Sequence, residues 1–354
     1  MAAVTGDQIA AVLHGKNDIR LEETPVPQPG KGQVQIRVHS VGLCGTDFHA
    51  WQRGYFVTDE HPLVKPFIFG HESSGVVCAV GEGVTDLKVG DRVAIDPAPS
   101  CGECEFCTKG RSTLCPKLNL WEPGMGHLRQ VIVHKAALCY KMPDTMTFEE
   151  GALLEPFVVA VYGCERGQVR VGTTVLIVGG GSIGMLSLVA AKAAGASKIC
   201  VVDIRQSRID FAKKMGATHT VLVEGSDTAA TGKKIGEIMG DLPEVVLECS
   251  GTDPGMQTAI HAVKKGGKVV LVGVAPQTAT IPAAMLFVKE ADILCAFRYG
   301  NNFKNSLAAI TAGVVDIKPI ATHSFPLEKI VHAMEIASTG QEGALKVMVQ
   351  PGKI

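Results

Sequence analysis

The sequence has almost no excess of charge of either sign. Its 34 Lys and Arg residues are balanced by 35 Asp and Glu residues, which leaves a formal net charge of −1. A protein that holds nucleic acid or an anionic membrane through its general electrostatic field needs a basic excess. The balance therefore argues against both partners, and we expect any partner to be recognised by a localised site.

The sequence also lacks an export signal and an uninterrupted membrane span. Its first ten residues, MAAVTGDQIA, contain neither the basic stretch nor the apolar run typical of a secretory signal, so we expect a cytoplasmic protein. The uncharged stretch from Val175 to Ala191 approaches the length of a membrane span. Four glycines interrupt it, which favours a buried strand, a tight turn and a helix instead.

The chain is long and hydrophobic enough to form two domains, with 354 residues of which 46% are hydrophobic. About the first 150 residues contain short strand patterns separated by Gly and Pro, which predicts a β-rich domain. From about Phe148, Val/Ile/Leu runs alternate with helix-length intervals, which predicts βαβ units and a parallel sheet buried on both faces. After Pro282 this alternation stops, and the remaining segments could close either domain. The predicted fold class is α/β.

A glycine-rich turn in the second half predicts a dinucleotide site. The segment from Gly179 to Gly184 matches G-x-G-x-x-G, follows a strand pattern and opens a helix pattern. Glycine lets the backbone approach a pyrophosphate, which the N-terminus of the helix attracts. Asp203, nineteen residues past Gly184, can bind the adenosine ribose hydroxyls and would repel a 2′-phosphate. The pattern favours NAD over NADP, although Arg205 and Arg208 lie close by and could pair with a phosphate.

Four cysteines within one Gly/Pro-rich loop predict a metal site. They are spaced C-x2-C-x2-C-x7-C: Cys101, Cys104, Cys107 and Cys115. This spacing is typical of a closed, all-thiolate zinc site and differs from the common ferredoxin patterns of iron–sulfur proteins. Zinc stabilises such a loop because its thiolate ligands replace the core that a short irregular segment lacks. A fully ligated ion leaves no position for substrate, so we expect a structural role.

A second, catalytic zinc would need an open coordination position. Cys44 in a tight turn, the pair His71 and Glu72 next to a strand, and Glu155 just before Pro156 offer a thiolate, an imidazole and two carboxylates. Sequence separation cannot show that they converge, and taken singly Cys44 and His71 are equally compatible with buried core residues. We interpret the remaining cysteines as packing residues: Cys78, Cys139, Cys164, Cys200, Cys249 and Cys295.

Several motifs together resemble the zinc-dependent medium-chain dehydrogenases over essentially the whole chain. They are the GHE motif at residues 70–72, the CGTDFH run that begins at Cys44, the four-cysteine loop and the glycine-rich turn. Within that family, FEEGALLEP and FRYGN resemble the polyol branch (sorbitol, xylitol and L-arabinitol dehydrogenases) and are not shared by the simple alcohol branch.

The resemblance implies a domain organisation. It implies a GroES-like, β-rich catalytic domain formed by residues 1–157 and 292–354, and a Rossmann NAD-binding domain with a doubly wound parallel sheet formed by residues 158–291. It also implies a homotetramer, and we expect an edge strand of the nucleotide domain near Lys268 to Leu271 to contribute to assembly.

The resemblance further implies the residues of an active site. The catalytic zinc would be bound by Cys44, His71 and Glu72, with Glu155 as a ligand either directly or through the metal-bound water. Two residues would relay the alcohol proton to solvent: Thr46 and His49. Substrate hydroxyls would be bound by Arg298 and Tyr299, together with Glu155. The nucleotide would be contacted by Gly179, Gly181, Ile183, Gly184, Asp203, Arg208, Val272, Gly273, Val274 and Phe297.

These expectations predict an enzyme that transfers hydride between NAD and a polyol/ketose pair, with zinc lowering the pKa of the bound hydroxyl. One alternative is a threonine, butanediol or other secondary-alcohol dehydrogenase of the same family, in which the polar pair Arg298 and Tyr299 would lack hydroxyls to bind. Another is a non-catalytic nucleotide-binding relative, in which the candidate ligands would have no use. Two zincs per subunit, one catalytic and one structural, would favour the enzyme.

Overall fold

The computed structural model of the chain describes residues 3–55, 66–118, 125–274 and 276–352. The chain forms two compact units. Unit 1 comprises Met1–Glu155, Phe303–Ala312 and Ala321–Ile354, and unit 2 comprises Pro156–Asn302 and Gly313–Ile320.

Both units contain strands and helices. The strands are β1 (Asp7–Gly15), β2 (Asp18–Pro25), β3 (Gln33–Gly42), β4 (Phe67–Ile68), β5 (Glu72–Val80), β6 (Arg92–Ile95), β7 (Val131–Lys135), β8 (Cys139–Lys141), β9 (Thr174–Val178), β10 (Lys198–Asp203), β11 (His219–Leu222), β12 (Val245–Glu248), β13 (Lys268–Leu271), β14 (Asp292–Cys295), β15 (Ala321–Pro326) and β16 (Lys346–Gln350). The helices are α1 (Gly45–Arg53), α2 (Glu105–Thr108), α3 (Phe148–Gly167), α4 (Ser182–Ala193), α5 (Gln206–Met215), α6 (Thr228–Met239), α7 (Asp253–Ala262), α8 (Ala283–Lys289), α9 (Phe303–Thr311) and α10 (Ile330–Thr339).

Unit 1 is β-rich, as predicted. Its larger sheet has the strand order β15-β16-β3-β5-β6-β8, with β7 also paired to β3, and a smaller sheet has the order β2-β1-β4. In β3 the apolar side chains of Val34, Ile36 and Val38 are buried because their alternation places them on the core face. Gly75 permits the close pairing of β5 with β3, since a Cβ atom there would lie 2.2 Å from the carbonyl oxygen of Arg37.

Unit 2 contains a parallel six-stranded sheet in the order β11-β10-β9-β12-β13-β14. This is the doubly wound order, in which the chain runs outward from a central strand first to one side and then to the other. Residues 175–177 of β9 are completely buried, as the continuous apolar runs predict for a sheet covered on both faces. The stretch from Val175 to Ala191 forms β9, a turn and most of α4, and within the described ranges no helix is both long and apolar enough to span a bilayer.

The last strand of this sheet changes two expectations. β14 pairs in parallel with β13, so residues 292–295 belong to the sheet of unit 2. The chain returns to unit 1 at Phe303, whereas the predicted boundary was residue 292. The prediction that Lys268 to Leu271 form an edge strand is wrong, because they form β13, which is paired on one side with β12 and on the other with β14. Among the described strands, the edges of the sheet are β11 and β14.

Candidate active site

Cys44 lies at the start of α1, immediately after strand β3. Its backbone N–H donates a hydrogen bond to Asp47 Oδ2 at 3.0 Å, which caps the first turn of the helix and fixes the turn that carries the thiol. Thr46 Oγ1 lies 3.6 Å from Cys44 Sγ. The thiol is therefore held at the end of a strand by a local helix cap and has one predicted relay residue next to it.

His71 and Glu72 follow a turn that only glycine accommodates well. Gly70 has a φ of +83°, and a Cβ atom there would lie 2.8 Å from Leu128 Cγ. Glu72 then begins β5, where it is opposite Gly42 of β3. A Cβ atom at position 42 would fall on the Glu72 carboxylate, so the glycine makes room for that side chain. The register of β3 and β5 thus places the carboxylate beside the turn that carries Cys44.

The structure brings these three predicted ligands together. One ligand atom each from Cys44, His71 and Glu72 lie within 4.8 Å of one another, and Glu72 is fully buried. Burial opposes the charged form of His71, but the neighbouring Cys44 and Asp47 outweigh it and raise the pKa of His71 well above its usual value. These surroundings stabilise positive charge. A thiolate, an imidazole and a carboxylate with a further position open are a donor set that fits catalytic zinc.

Glu155 lies outside this group of three but close to it. The side chain is buried, at 7% exposure, as the last residue of unit 1 within helix α3. Burial is the main cause that raises the pKa of Glu155 to about 7; the Glu72 carboxylate contributes to the rise, and His71 and Lys346 partly offset it. Its role as a fourth ligand or as a partner of a bound water stays a prediction.

Asp47 is a residue of this site that the sequence analysis did not single out. It is completely buried, and besides accepting the hydrogen bond from Cys44 it places Oδ1 3.6 Å from His71 Nδ1. A carboxylate behind a metal-binding histidine fixes the orientation of the ring and increases its basicity. The signal was available, since Asp47 follows Cys44 by three residues, the spacing of a helix-capping acid.

Lys346 is the second residue that sequence reasoning missed. It lies in β16, is 2% exposed, and donates hydrogen bonds to both carboxylate oxygens of Glu72. Burial lowers the pKa of Lys346, but Glu72 and Cys44 outweigh that effect and raise it above its usual value. A lysine within the apolar run KVMVQ was a signal, because a lysine is almost never buried without a partner.

His49 lies one helical turn beyond Cys44 in α1. Burial lowers its pKa below the usual value, and Arg53 adds to the effect, so the neutral imidazole is favoured. Its Nδ1 atom is buried and makes no hydrogen bond within the described parts of the chain. A neutral ring with an unused nitrogen is chemically suited to accept and pass on a proton.

The four-cysteine loop forms a second candidate metal site in unit 1. The Sγ atoms of Cys104 and Cys107 are 3.5 Å apart, those of Cys101 and Cys115 are 3.5 Å apart, and those of Cys101 and Cys107 are 3.9 Å apart. Four sulfurs at about 2.3 Å from a tetrahedral ion are about 3.8 Å from one another. The cluster therefore matches the size of a closed zinc–thiolate site, and all four members meet in one group.

The first group of predicted nucleotide residues lies in the turn between β9 and α4 and at the start of α4 in unit 2. Gly179 has a φ of +95°, and Gly181 caps α4. A Cβ atom at Gly184 would lie 1.9 Å from the carbonyl oxygen of Gly179, so the glycine lets the helix start close to the strand. Ile183 occupies the first turn of α4 and is half-buried.

Asp203 ends β10 beside this turn. Its Oδ2 accepts a hydrogen bond from the Gly180 N–H at 2.7 Å, and its Oδ1 accepts one from the Arg205 N–H at 2.8 Å. Arg208 is 8% exposed and packs against the same turn, since a Cβ atom at Gly180 would lie 3.1 Å from Arg208 Cβ. Asp203 is thus hydrogen-bonded to the glycine-rich turn, and Arg208 packs against it.

The remaining predicted residues lie after β13 and β14 in unit 2. Val272, Gly273 and Val274 follow β13, and Val274 is 37% exposed. Phe297 is half-exposed and lies under the guanidinium group of Arg298, which is 5.0 Å from the ring centroid. Arg298 has a φ of +59°, an uncommon backbone conformation for a residue other than glycine, and Tyr299 is buried.

Comparison with known proteins shows the family of the chain. Residues 30–144 match the alcohol dehydrogenase GroES-like domain, and residues 182–312 match the zinc-binding dehydrogenase domain. The chain is 40% identical over 350 residues to sorbitol dehydrogenase of Gallus gallus, covering 98% of both chains, and 41% identical over 351 residues to sorbitol dehydrogenase of Rattus norvegicus, covering 99% of this chain and 97% of the relative. It also resembles the crystal structure of an Escherichia coli oxidoreductase/dehydrogenase of unknown specificity, with a TM-score of 0.90 and 31% identity over 98% of this chain and 99% of that one. The chain therefore belongs to the zinc-binding dehydrogenase family.

Proposed function

We propose that the chain is an NAD-dependent zinc polyol dehydrogenase, which oxidises a polyol such as sorbitol, xylitol or L-arabinitol to the ketose. Hydride passes from the secondary carbinol carbon to NAD, and the hydroxyl proton leaves through the protein. The observation that carries this proposal is the convergence of Cys44, His71 and Glu72 in a chain that matches sorbitol dehydrogenases over its full length. The FRYGN and FEEGALLEP segments add support for the polyol branch.

Cys44, His71 and Glu72 would hold the catalytic zinc, and Glu155 would bind it directly or through a water molecule. When bound, this zinc supplies a Lewis acid that lowers the pKa of the substrate hydroxyl. Asp47 holds the His71 ring and the Cys44 turn in place, so the ligands are preorganised. A second zinc in the four-cysteine loop would stabilise unit 1, which gives two ions per subunit.

Thr46 and His49 would carry the hydroxyl proton away. Thr46 supports this assignment through its contact with Cys44 Sγ, and His49 supports it through its buried Nδ1 and its lowered pKa. A base that is neutral near pH 7 can accept a proton from a hydroxyl chain and release it to solvent.

Unit 2 would bind NAD, and unit 1 would be the GroES-like catalytic domain. The carboxylate of Asp203 would take the ribose hydroxyls and disfavour a 2′-phosphate, while the turn from Gly179 to Gly184 would cradle the pyrophosphate. Arg208, Ile183, Phe297 and the segment from Val272 to Val274 would complete the nucleotide site. Arg298 and Tyr299 would bind polyol hydroxyls. A short apolar alcohol would offer them no hydroxyls to bind, so the site would prefer a polyol.

We further assign the enzyme to the cytoplasm and to a homotetramer. A reducing compartment keeps clustered thiols available to bind metal, whereas an oxidising one favours disulfides. Among the described strands, β14 has a partner on one side and leaves the other edge for a second copy. Apolar side chains of α8, the helix that precedes β14 in the chain, are exposed, with Phe287 at 83% and Val288 at 59%. A mass measurement in solution tests the subunit count, and Phe287→Asp is expected to lower it.

A substrate panel tests the proposed function. NADH formation would be followed with sorbitol, xylitol, galactitol, L-arabinitol, threonine and 2,3-butanediol, and each reaction would be repeated with NADP. We expect oxidation of at least one polyol with NAD and little reaction with NADP. Turnover of threonine or butanediol alone would reject the polyol assignment, and metal analysis showing a single zinc without turnover would favour a non-catalytic nucleotide-binding protein.

A further inference from the structure

Lys346 connects the two chain segments that carry the candidate zinc ligands. Its Nζ atom donates to Glu72 Oε1 at 2.7 Å and to Glu72 Oε2 at 2.6 Å. It also donates to the carbonyl oxygen of Leu43, the residue before Cys44, at 3.0 Å. All three hydrogen-bonding positions of the ammonium group are therefore used; two acceptors are the oxygens of a candidate ligand, and the third is the carbonyl oxygen that precedes another candidate ligand.

Both partners of the ion pair between Lys346 and Glu72 are buried. Lys346 is 2% exposed and Glu72 is completely buried, so neither charge is screened by water. Removing a charged group from water is costly unless an opposite charge and hydrogen bonds replace the solvent. In the described parts of the chain, the Glu72 carboxylate is the group of opposite charge that forms an ion pair with Lys346. The two residues therefore depend on each other when no metal is bound.

Lys289 shows what a purely structural buried lysine does in the same chain. It is 7% exposed, and its Nζ donates to the carbonyl oxygens of Ile260, His261 and Val263 at the end of α7. These are groups that the end of a helix leaves without intrahelical partners. Lys346 differs because two of its three hydrogen bonds go to a carboxylate that a cation would also bind.

We propose that Lys346 is a positioning residue that competes with the metal for Glu72, so that the ammonium and the zinc are alternative counter-charges for one buried carboxylate. This inference rests on the proposed function, because it takes Cys44, His71 and Glu72 as the zinc ligands. With both of its oxygens bound to Lys346, Glu72 is a weakened metal ligand. The lysine thereby lowers the affinity of the site for zinc, because an ion that binds Glu72 must weaken the ion pair between Glu72 and Lys346.

The test compares Lys346→Met with wild type, using metal alone as the probe. Cobalt distinguishes the two sites, because an ion bound by four thiolates absorbs far more strongly in the charge-transfer region than one bound by a single thiolate. Chelator competition then gives the affinity of each site. In Lys346→Met we expect the one-thiolate site to bind metal at least tenfold more tightly, and the four-thiolate site to be unchanged. Equal or weaker binding at the one-thiolate site would overturn the proposal.

Thermal unfolding gives a second test: substitution of a purely structural lysine would not change the increase in Tm that zinc causes. Metal-free Lys346→Met should have a lower Tm than metal-free wild type, and zinc should raise its Tm by more than it raises that of wild type. Lys289→Met is the matched control: it should lower Tm with and without zinc alike. Lys346→Arg keeps the charge and should restore a metal response close to that of wild type.

A variant that folds poorly still decides the question. If Lys346→Met is insoluble without metal, zinc in the growth medium should recover it, whereas Lys289→Met should not respond to zinc. Failure of zinc to recover Lys346→Met would contradict the idea of alternative counter-charges. The proposed function fails separately, if wild type itself binds no metal at the one-thiolate site or oxidises no polyol.

Discussion

The Asp47 carboxylate lies 3.6 Å from His71 Nδ1 while its other oxygen accepts the backbone N–H of Cys44. One completely buried side chain thus lies beside two candidate ligands that are 27 residues apart in the sequence. The negative charge behind the imidazole also favours a cation in front of it.

Asp47→Asn tests this relationship. The amide oxygen can still accept the Cys44 N–H, but the charge behind His71 is lost. We expect zinc affinity at the catalytic site to fall by roughly 10- to 100-fold and kcat for the polyol to fall with it. Both are measured by chelator competition and by steady-state kinetics.

Asp91→Asn is the matched control for that substitution. Asp91 is 6% exposed, accepts the backbone N–H of Lys88 and pairs with Lys141. It therefore resembles Asp47 in its burial and in accepting the backbone N–H three residues earlier, but it is not one of the candidate metal-site residues. It should lower Tm and leave zinc affinity unchanged. Equal losses of zinc affinity in both variants would mean that Asp47 acts through general stability.

Cys104→Ser tests the structural role of the four-cysteine loop. A serine hydroxyl is a poor zinc ligand, so the zinc content should fall from two ions to one per chain and Tm should decrease. Cys295 lies outside the loop and is exposed, so its interpretation as a packing residue is wrong, and Cys295→Ser should alter neither quantity. Unchanged metal content and Tm in Cys104→Ser would refute the structural site.

Gly184→Ala tests the packing of the glycine-rich turn. The added methyl group would overlap the carbonyl oxygen of Gly179, which forces the start of α4 away from β9. We expect a loss of about 1–3 kcal/mol in the free energy of unfolding, together with weaker NAD binding, measured by denaturant unfolding and calorimetry.

Gly181→Ala separates stability from cofactor binding at the same turn. No heavy atom lies within 4 Å of a Cβ built at Gly181, so the NAD-free protein should keep its stability. NAD affinity should still fall, because a side chain there would intrude on the backbone face that approaches the pyrophosphate. Normal NAD binding by both Gly184→Ala and Gly181→Ala would mean that the turn does not contact the cofactor.

Asp203→Ser tests cofactor selection. The substitution removes the charge that would repel a 2′-phosphate and leaves Arg205 and Arg208 close to the turn, so the ratio of kcat/KM for NAD to that for NADP should fall tenfold or more. Asp210→Ser in α5 removes an exposed charge that pairs with Lys213 and should leave the ratio unchanged. An unaltered ratio in Asp203→Ser would mean that this acid does not contact the ribose.

Local patterns in the sequence were sufficient to predict several features, whereas long-range pairing was not. The glycine-rich turn, the four-cysteine loop and the buried strands of unit 2 each depend on residues close together in the chain. Convergence of Cys44 with His71 depends instead on the register that pairs Gly42 with Glu72, which no local pattern specifies. Lys346 pairs with a residue 274 positions away, and its place in the site became visible only in the fold.

The error at β13 has a similar cause. The Val/Ile/Leu runs predict buried strands but carry no information on which strand is outermost. Strand β14 comes after the predicted alternation ends at Pro282. It has only four residues, and three of them are exposed, so it gives a weaker signal than the buried strands. Its parallel pairing with β13 extends the sheet by one strand and moves the edge to residues 292–295.

An anomalous-diffraction map at the zinc edge, from crystals of the zinc-loaded protein, tests the central claim most directly. We predict two peaks per chain, one among Cys101, Cys104, Cys107 and Cys115 and one in contact with Cys44, His71 and Glu72. A map with a peak at the four cysteines and none at the other three residues would contradict the assignment of a catalytic metal centre.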